Sequence, residues 1–414
     1  MVKKKRKVLI SGFNARPLAK SLFKADYDVY AVDFFGDSDL YKFVKDAKII
    51  FQELKTDYQT SKSQYSDAMA NLTVEMIEKH PDLDYLIVGS GLDDNIIGRD
   101  KIFKKIEEFN HKILYLGNNN ETIEKSRDIL RIYSYLDVRG YKTPKTRPFD
   151  YKIIKEGSVQ YPFILKKKQS SGGISIFEIK SKAYLQKLGK DIEEFNVLFK
   201  DWFVQEYIDG IDVSCTTISN KHEAKIISIN NQIIGAKYLN APSDFVYCGN
   251  VVPTNIRKNS IKLISKISLN LVERLNLIGI NGFDYVLKAG YPYLMEINPR
   301  IPGSIRASEL YLDRNLLQEH ILSCINPNEP LKLVGRASRG YDFVAKLVYF
   351  APKFVHFEKI EKLKNIKHVK DIPSEGRSIH SQEPLCSVLY GAYKYTEAFC
   401  GALNIIKKIE KQIN

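Results

Sequence analysis

The sequence has few of the features that mark a membrane, secreted or zinc-binding protein. None of its apolar runs approaches the roughly 20 residues that a helix needs to cross a bilayer. Its N-terminus lacks the apolar core and small-residue cleavage site of a secretory signal. The cysteines are scattered, without the paired spacing that holds zinc: Cys215, Cys248, Cys324, Cys386 and Cys400. We therefore expect reduced, buried thiols in a cytoplasmic protein.

Two common glycine signatures of nucleotide-binding proteins are also missing. The first apolar segment ends in Ser11-Gly12-Phe13, which lacks the GxGxxG spacing of dinucleotide-binding enzymes and excludes a dehydrogenase of that class. The glycine pair that follows Lys166 does not match GxxxxGK[ST], so it is not a P-loop. Asp33, near the end of the second apolar segment, is placed to contact a ribose, but one carboxylate is weak evidence.

The formal net charge of +14 leaves nucleic-acid binding open as an alternative function. The lysines are spread along the chain, and no DNA-binding or RNA-binding signature accompanies them. This favours a solvated basic surface that attracts anionic nucleotides. Tight, steeply salt-dependent binding of DNA or RNA would support the alternative.

Strands that alternate with helices predict a parallel α/β sheet in residues 1–115. Ligands of such sheets bind beyond the carboxyl ends of the strands, where Gly89-Ser90-Gly91 is followed by Asp93, Asp94 and Asn95. This turn suits a substrate pocket, although a solvated tight turn has the same composition. The predicted elements are strands at 7–13, 28–35, 47–54, 84–91 and 112–118, and helices at 14–24 and 68–79.

The rest of the chain is denser in strands, which predicts an α+β nucleotide-binding domain at 116–330 and a small β-rich domain with a closing helix at 331–414. Helices are predicted at 121–136 and 261–275. Strands are predicted at 162–168, 174–180, 202–208, 212–219, 224–230, 283–288, 293–298, 343–351 and 387–392.

Two segments have the composition of a nucleotide site. In the first, a strand delivers Lys166 and ends in Ser170-Ser171-Gly172-Gly173, where backbone N–H groups and an ammonium can contact a triphosphate. In the second, the backbone of Gln205, Glu206, Tyr207 and Ile208 can pair with an adenine edge, and Asp212 can accept hydrogen bonds from a ribose. Taken singly, each segment also fits an ordinary hairpin.

A third segment predicts a magnesium site. Glu296 and Asn298 lie two residues apart on one strand, so both side chains share a face, and a hairpin at Gly290 can bring Asp284 beside them. Two carboxylates and an amide oxygen are hard ligands suited to Mg²⁺ and its bridged phosphates. Arg300 follows at the strand end, where it can bind a transferring phosphoryl group.

The order of Lys166, glycine-rich loop, VQEYIDGID, FDYVL and MEINPR resembles the ATP-grasp superfamily over residues 116–310. The first domain looks like a pre-ATP-grasp domain, and the tail looks like that of carboxylase-like relatives. The whole chain resembles a group of predicted ATP-dependent carboligases related to biotin carboxylase. The resemblance implies a two-lobed ATP-grasp domain, small-molecule substrates and a homodimer.

The resemblance also implies residue roles. Lys166 and the lid Ser170–Gly173 would contact the ATP phosphates, Gln205 and Ile208 the adenine, and Asp212 the ribose. Asp284, Glu296 and Asn298 would hold two Mg²⁺ ions, for which Mn²⁺ can substitute, and Arg300 would stabilise an acyl phosphate. Many relatives carry an Asp-Lys pair where this chain has Arg127-Asp128, so Lys125 or Arg127 is the candidate replacement for the second nucleotide lysine.

These roles predict a ligase that forms an acyl phosphate and transfers it to an amine or, less readily, a thiol, with release of ADP. Two alternatives stay open: a carboxylase that activates bicarbonate, and a nucleotide sensor without catalysis. A carboxylase would need its biotin carrier elsewhere, because the chain has no biotin-attachment Met-Lys motif. Residues 245–250 are a candidate substrate loop, although a structural turn fits equally well.

Overall fold

The computed structural model describes most of the chain. The described residues are 4–109, 112–150, 152, 154, 157, 159–168, 175–186, 199–332 and 340–414. Within these ranges, no helix combines the length and the apolarity of a membrane span.

The N-terminal part is a five-stranded parallel sheet with helices packed on it, as the alternating pattern predicts. The spatial order is β3-β2-β1-β4-β5, so the order reverses beside β1. Loops that leave β1 and β4 therefore diverge and open a crevice at their carboxyl ends. The strands are β1 Lys7–Gly12, β2 Asp28–Asp33, β3 Asp46–Ile49, β4 Tyr85–Val88 and β5 Leu114–Tyr115. The helices are α1 Arg16–Lys24, α2 Ile50–Leu54, α3 Tyr58–Lys79 and α4 Ile96–Glu108.

Several predicted elements were wrong in extent: the helix expected at 68–79 begins at Tyr58, and the strand expected at 112–118 is only Leu114–Tyr115. The strand expected at 47–54 stops at Ile49, opposite the last residue of β2, and the chain continues as α2, whose Phe51 N–H donates to the Phe34 carbonyl at 3.1 Å. The helix expected at 121–136 is two helices, α5 Asn120–Arg127 and α6 Ile129–Asp137. They break at Asp128, whose carboxylate accepts a hydrogen bond from the Arg131 N–H at 3.2 Å and caps α6.

A small four-stranded sheet follows, with its own hydrophobic core around Phe163, Leu165 and Val204. Its order is β6-β9-β7-β8. The strands are β6 Thr146–Pro148, β7 Phe163–Lys167, β8 Ile176–Ile179 and β9 Trp202–Glu206, with helix α7 at Lys182–Gln186.

The small sheet forms one lobe of the predicted second domain. A large antiparallel sheet of eight strands forms the other lobe, in the order β14-β13-β10-β11-β12-β15-β17-β16. This sheet contains strands from both sides of the predicted domain boundary at residue 331. Strand β15 of the predicted third domain is hydrogen-bonded to β12 of the second. The strands are β10 Ile211–Ser219, β11 Ala224–Ile234, β12 Tyr247–Val252, β13 Gly279–Lys288, β14 Tyr291–Asn298, β15 Phe343–Phe350, β16 Val369–Lys370 and β17 Pro384–Ala392. The helices are α8 Lys258–Leu275, α9 Ile305–Leu312, α10 Leu316–Ile325, α11 Phe357–Glu361 and α12 Tyr395–Ile413.

Candidate active site

A cleft of about 1380 Å³ lies where the three sheets meet. The sequence-predicted site residues that line it come from both lobes: Lys166, Gln205, Glu206, Ile208, Asp212, Asp284, Glu296, Asn298 and Arg300. The predicted phosphate lid, Ser170, Ser171, Gly172 and Gly173, lies outside the described residues. The structure therefore brings nine widely separated residues into one cavity, while their individual roles stay predictions.

The hairpin of β13 and β14 sets the centre of this cleft. Ala289 and Gly290 both adopt positive φ, 50° and 83°, which is the geometry of a tight two-residue turn between antiparallel strands. The resulting register places Asp284 opposite Glu296 and Gly282 opposite Asn298. Side chains directly opposite each other in an antiparallel pair share a face, so the two carboxylates and the amide form one cluster.

The two carboxylates of this cluster differ in their electrostatics. Burial, with Glu296 next, raises the pKa of Asp284 to about 6, although its carboxylate accepts hydrogen bonds from Gln232 at 2.9 Å and Asn298 at 2.8 Å. Burial would also raise the pKa of Glu296, but the cations of Lys166 and Arg127 outweigh it and lower that pKa. The site is thus an ionised glutamate beside an aspartate that lacks a cation of its own.

The donor set of Asp284, Glu296 and Asn298 fits magnesium. In the part of the chain that the structure describes, no group of three His, Cys, Asp or Glu side chains could hold a metal unaided. Mg²⁺ sites commonly use one or two carboxylates, with water and substrate phosphates as the remaining ligands. The elevated pKa of Asp284 is consistent with such a site, because a bound cation would favour the ionised carboxylate.

Two arginines tie the cluster to the loop that follows β4. Arg300 donates from Nε to Asp93 at 2.6 Å and from Nη2 to the Asn298 Oδ1 at 3.2 Å. Arg127 donates two hydrogen bonds to the Asp94 carboxylate, at 2.9 and 3.0 Å, and forms an ion pair with Glu296. The turn after β4, which the sequence predicted to line a pocket, is therefore connected to the cluster: Asp93 binds Arg300, and Asp94 binds Arg127.

The contacts of Lys125 and Arg127 differ, and this distinguishes the two candidates for the second cation that would contact the nucleotide. Lys166 Nζ lies 3.8 Å from Glu296 Oε2 and donates to the Met295 carbonyl at 3.4 Å. Lys125 instead pairs with Glu121 on the exposed side of α5. Arg127, and not Lys125, is the residue that reaches the cluster.

The end of the cleft that is predicted to bind nucleotide has two polar groups without hydrogen-bond partners among the described residues. Within the described part of the chain, the Ile208 N–H makes no hydrogen bond, and the Asp212 carboxylate has none either. Burial raises the pKa of Asp212 to about 6. The Gln205 side chain is already used, since its amide donates to Tyr133 at 3.2 Å and to Thr146 at 2.9 Å.

Several features were missed or misplaced by sequence reasoning. Asp33 does not face a ribose, because its carboxylate accepts the N–H groups of Ala15, Phe35 and Gly36 and is buried. Most of the candidate loop 245–250 belongs to β12, which continues pairing with β11 and β15. Lys346 lines the cleft, although it sits in an apolar run that predicts only a buried strand.

Residues 126–304 match the family model described as the ATP-grasp domain. This chain carries an ATP-grasp domain. The matched segment begins just before Arg127 and ends just after Arg300, so it contains every described residue of the predicted site.

Relatives occur in Methanocaldococcus jannaschii and Methanococcus maripaludis. The chain is 25% identical over 397 residues to an uncharacterized protein of Methanocaldococcus jannaschii, covering 92% of this chain and 88% of that protein. It is 27% identical over 247 residues to the coenzyme gamma-F420-2:alpha-L-glutamate ligase of Methanococcus maripaludis, covering 58% of this chain and 79% of the ligase.

Solved structures share the whole fold. The L-amino acid ligase of Bacillus licheniformis superposes with a TM-score of 0.69 at 16% identity and 98% coverage of both chains. The biotin carboxylase of Campylobacter jejuni superposes with a TM-score of 0.70 at 14% identity, covering 97% of this chain and 91% of that one. At these identities the similarity concerns the fold alone. The reaction of this protein has to be inferred from its own residues.

Proposed function

We propose that this protein is an ATP-dependent ligase that activates a small-molecule carboxylate as an acyl phosphate and joins it to an amine, or less readily a thiol, with release of ADP and phosphate. The observation that carries the proposal is the cluster of Asp284, Glu296 and Asn298, with Lys166, Arg127 and Arg300 around it. A sensor that only bound nucleotide would need the adenine and ribose contacts but not this array of charges. The similarity to the glutamate ligase of Methanococcus maripaludis supports the same reaction class.

ATP binds, in this proposal, between the two lobes. The unpaired Ile208 N–H donates to the adenine ring, and the unpaired Asp212 carboxylate accepts from the ribose hydroxyls. Lys166 and Arg127 face the triphosphate, together with the lid Ser170–Gly173. Because Gln205 is held by Tyr133 and Thr146, it positions the strand that presents the adenine contacts.

Asp284, Glu296 and Asn298 would hold two Mg²⁺ ions, for which Mn²⁺ would substitute, and the bound metal would supply positive charge that neutralises triphosphate oxygens. The substrate carboxylate attacks the γ-phosphorus, ADP leaves, and the amine nitrogen then displaces phosphate from the acyl carbon. Arg300, fixed by Asp93, stabilises the charge that develops on the phosphoryl oxygens. Catalysis by positioned charges explains why no nucleophilic triad is required.

The test is formation of ADP and of a hydroxamate from Mg²⁺-ATP, hydroxylamine and a panel of small carboxylates, with bicarbonate as a separate arm. We expect carboxylate-dependent ADP and trapped hydroxamate, both reduced at least about 10³-fold in Glu296→Ala and both abolished by chelation of the metal. Gln59→Ala, a change at the cleft wall far from the hairpin in sequence, serves as the matched control and should stay within about twofold of the wild type.

Other products would redirect the assignment. AMP in place of ADP would contradict the acyl-phosphate route. Bicarbonate-dependent ADP without hydroxamate would favour the carboxylase alternative, which the fold of the biotin carboxylase also accommodates. We expect a homodimer, which light scattering of the purified protein would test.

A further inference from the structure

The cleft extends beyond the phosphoryl region to the carboxyl ends of β1 and β2. Its wall there includes Asn14, Asp37, Asp371 and Ser387. No residue of this extension is used by the proposed handling of ATP. It lies at the meeting of the first sheet with the β15–β17 end of the large sheet.

Asp37 is the unusual residue in this extension. It is only 4% exposed, yet no described residue donates a hydrogen bond to its carboxylate or forms an ion pair with it. Neighbouring acids are satisfied: Asp33 accepts three backbone N–H groups, and Asp371 pairs with Arg16 and accepts from Ser387. A buried carboxylate that faces a cavity without a partner is costly unless a ligand supplies one.

Asn14 adds a second acceptor without a donor. Its Oδ1 is buried and has no hydrogen-bond partner among the described residues. Asn14 follows β1 and Asp37 follows β2, and these strands are parallel neighbours, with Gly12 opposite Asp33. Both residues thus line the cleft from adjacent loops, but the Asn14 Oδ1 itself is enclosed by the protein, so Asp37 is the acceptor that faces the cavity.

Three nearby cations are already committed elsewhere. Arg16 contacts Asp371 at 2.5 Å and Asp39 at 3.6 Å, but it does not come within ion-pair distance of Asp37. Lys346 donates to the Gly303 carbonyl at 3.0 Å, and Lys370 donates to the Val369 carbonyl at 2.7 Å. Burial, with Asp371 next, raises the pKa of Asp37 well above its ordinary range, as expected for a carboxyl that lacks its cation.

We propose that Asp37 binds the primary ammonium group of a substrate of this enzyme. An ammonium supplies N–H donors and one positive charge, which match the unpaired oxygens and the negative charge of this carboxylate. A divalent metal is a poorer match, because Mg²⁺ requires six oxygen ligands in near-octahedral geometry. The inference rests on the proposed ligase function and refines its substrate class to amino compounds.

Two hydrogen bonds and the loop between them connect this subsite to the reaction centre. The loop after β1 is held by the Phe13 N–H, which donates to the Ser90 carbonyl at 2.7 Å. Ser90 belongs to the loop that carries Asp93, and Asp93 fixes Arg300 at 2.6 Å. The ammonium is carried either by an amino acid whose carboxylate is activated or by the amine acceptor.

The test compares Asp37→Asn with Asp39→Asn, which removes the same charge two residues away at a carboxylate that Arg16 and the Ile372 N–H already contact. Binding to the full-length protein is measured by calorimetry with paired probes: L-alanine against propionate, L-glutamate against glutarate, and ethanolamine against ethylene glycol. We expect at least one amine to bind the wild type more tightly than its partner by tenfold or more. This preference should be lost in Asp37→Asn and kept in Asp39→Asn.

Turnover then identifies the source of the ammonium. If Asp37→Asn raises the KM for an amino acid in the hydroxamate assay at least tenfold, with the KM for ATP unchanged, the ammonium belongs to the activated substrate. If hydroxamate formation is unchanged and only transfer to an amine suffers, it belongs to the acceptor. Both results support the subsite.

The proposal is overturned if no probe shows an amine preference in the wild type, or if Asp37→Asn retains that preference. Absence of ADP and hydroxamate with amine binding intact would instead overturn the ligase function and leave the ammonium site standing. Misfolding of Asp37→Asn is controlled by its melting temperature, which should equal or exceed that of the wild type because a buried unpaired charge is removed.

Discussion

At the residue scale, Asp212, which we propose binds the ribose, lowers the stability of the free protein. Its pKa is about 6 in the folded state, compared with 3.8 ordinarily, because of burial. The folded state therefore binds the proton more tightly than the unfolded state does. Ionisation of Asp212 lowers the free energy of unfolding by its full amount above pH 6 and has no effect below pH 3.8. The cost at neutral pH is at most about 3 kcal/mol.

Asp212→Asn should therefore melt at a higher temperature than the wild type at pH 7.5 without nucleotide, and the difference should disappear as the pH falls toward 4. The same change should weaken ATP binding by about tenfold, because a charged hydrogen bond to the ribose is lost. Thermal melts across pH and ATP titrations measure both effects. Equal melting temperatures at pH 7.5, or unchanged ATP affinity, would contradict this account.

Arg127 and Lys125 allow a second comparison at this scale. Arg127→Met removes the partner of two partly buried carboxylates, Asp94 and Glu296, and should lower kcat/KM for ATP by about 100-fold. Lys125→Met removes a surface ion pair and should change it by less than about twofold. Similar losses in both variants would argue against Arg127 as the nucleotide cation.

At the scale of elements, α10 is locked to the sheet by His320. The ring accepts the Ile280 N–H at Nδ1, at 3.0 Å, so its proton is on Nε2, which donates to the Leu116 carbonyl at 3.2 Å. Burial lowers the pKa of His320 to about 4. The side chain also lies against Gly279, where φ is +74° and a Cβ would approach His320 Cε1 within 2.5 Å.

His320 should therefore make the fold acid-sensitive. Because its folded pKa is about 4 and its ordinary value 6.5, the unfolded chain binds the proton more tightly, and stability is lost as pH falls from 6.5 to 4. The loss amounts to about 3 kcal/mol at most. His320→Gln should be less stable than the wild type at pH 7, and the gap should narrow by pH 4.5 in urea titrations. A gap that stays constant would show that His320 does not titrate in this range.

Local patterns predicted the hairpin at Gly290 and the face shared by Glu296 and Asn298, because turn chemistry and strand periodicity are properties of adjacent residues. The end of β3 at Ile49 was not predictable in this way, because it depends on where β2 ends. The partners of the site residues were equally hidden. Gln232 on Asp284 and Asp93 on Arg300 meet only after distant segments pack together.

At the scale of the whole molecule, Arg16 joins the two ends of the chain. It pairs with Asp371, 355 positions away, and both side chains are largely buried. Arg16→Met would leave Asp371 and Asp39 without their cation and should lower the free energy of unfolding by about 3–5 kcal/mol. Lys24→Met, on the exposed end of the same helix, should change it by less than about 0.5 kcal/mol. Equal values for the two variants in denaturant titrations would refute this role.

The eight-stranded sheet has a consequence for synthesis of the protein. Strand β12 ends at Val252, but its partner β15 begins only at Phe343, so the nascent chain carries an unpaired strand edge while 90 intervening residues are translated. At 5–20 residues per second this interval lasts roughly 5 to 18 seconds. An exposed edge can pair with another nascent chain during that time, so loss of the last strands should yield aggregates rather than a smaller working enzyme.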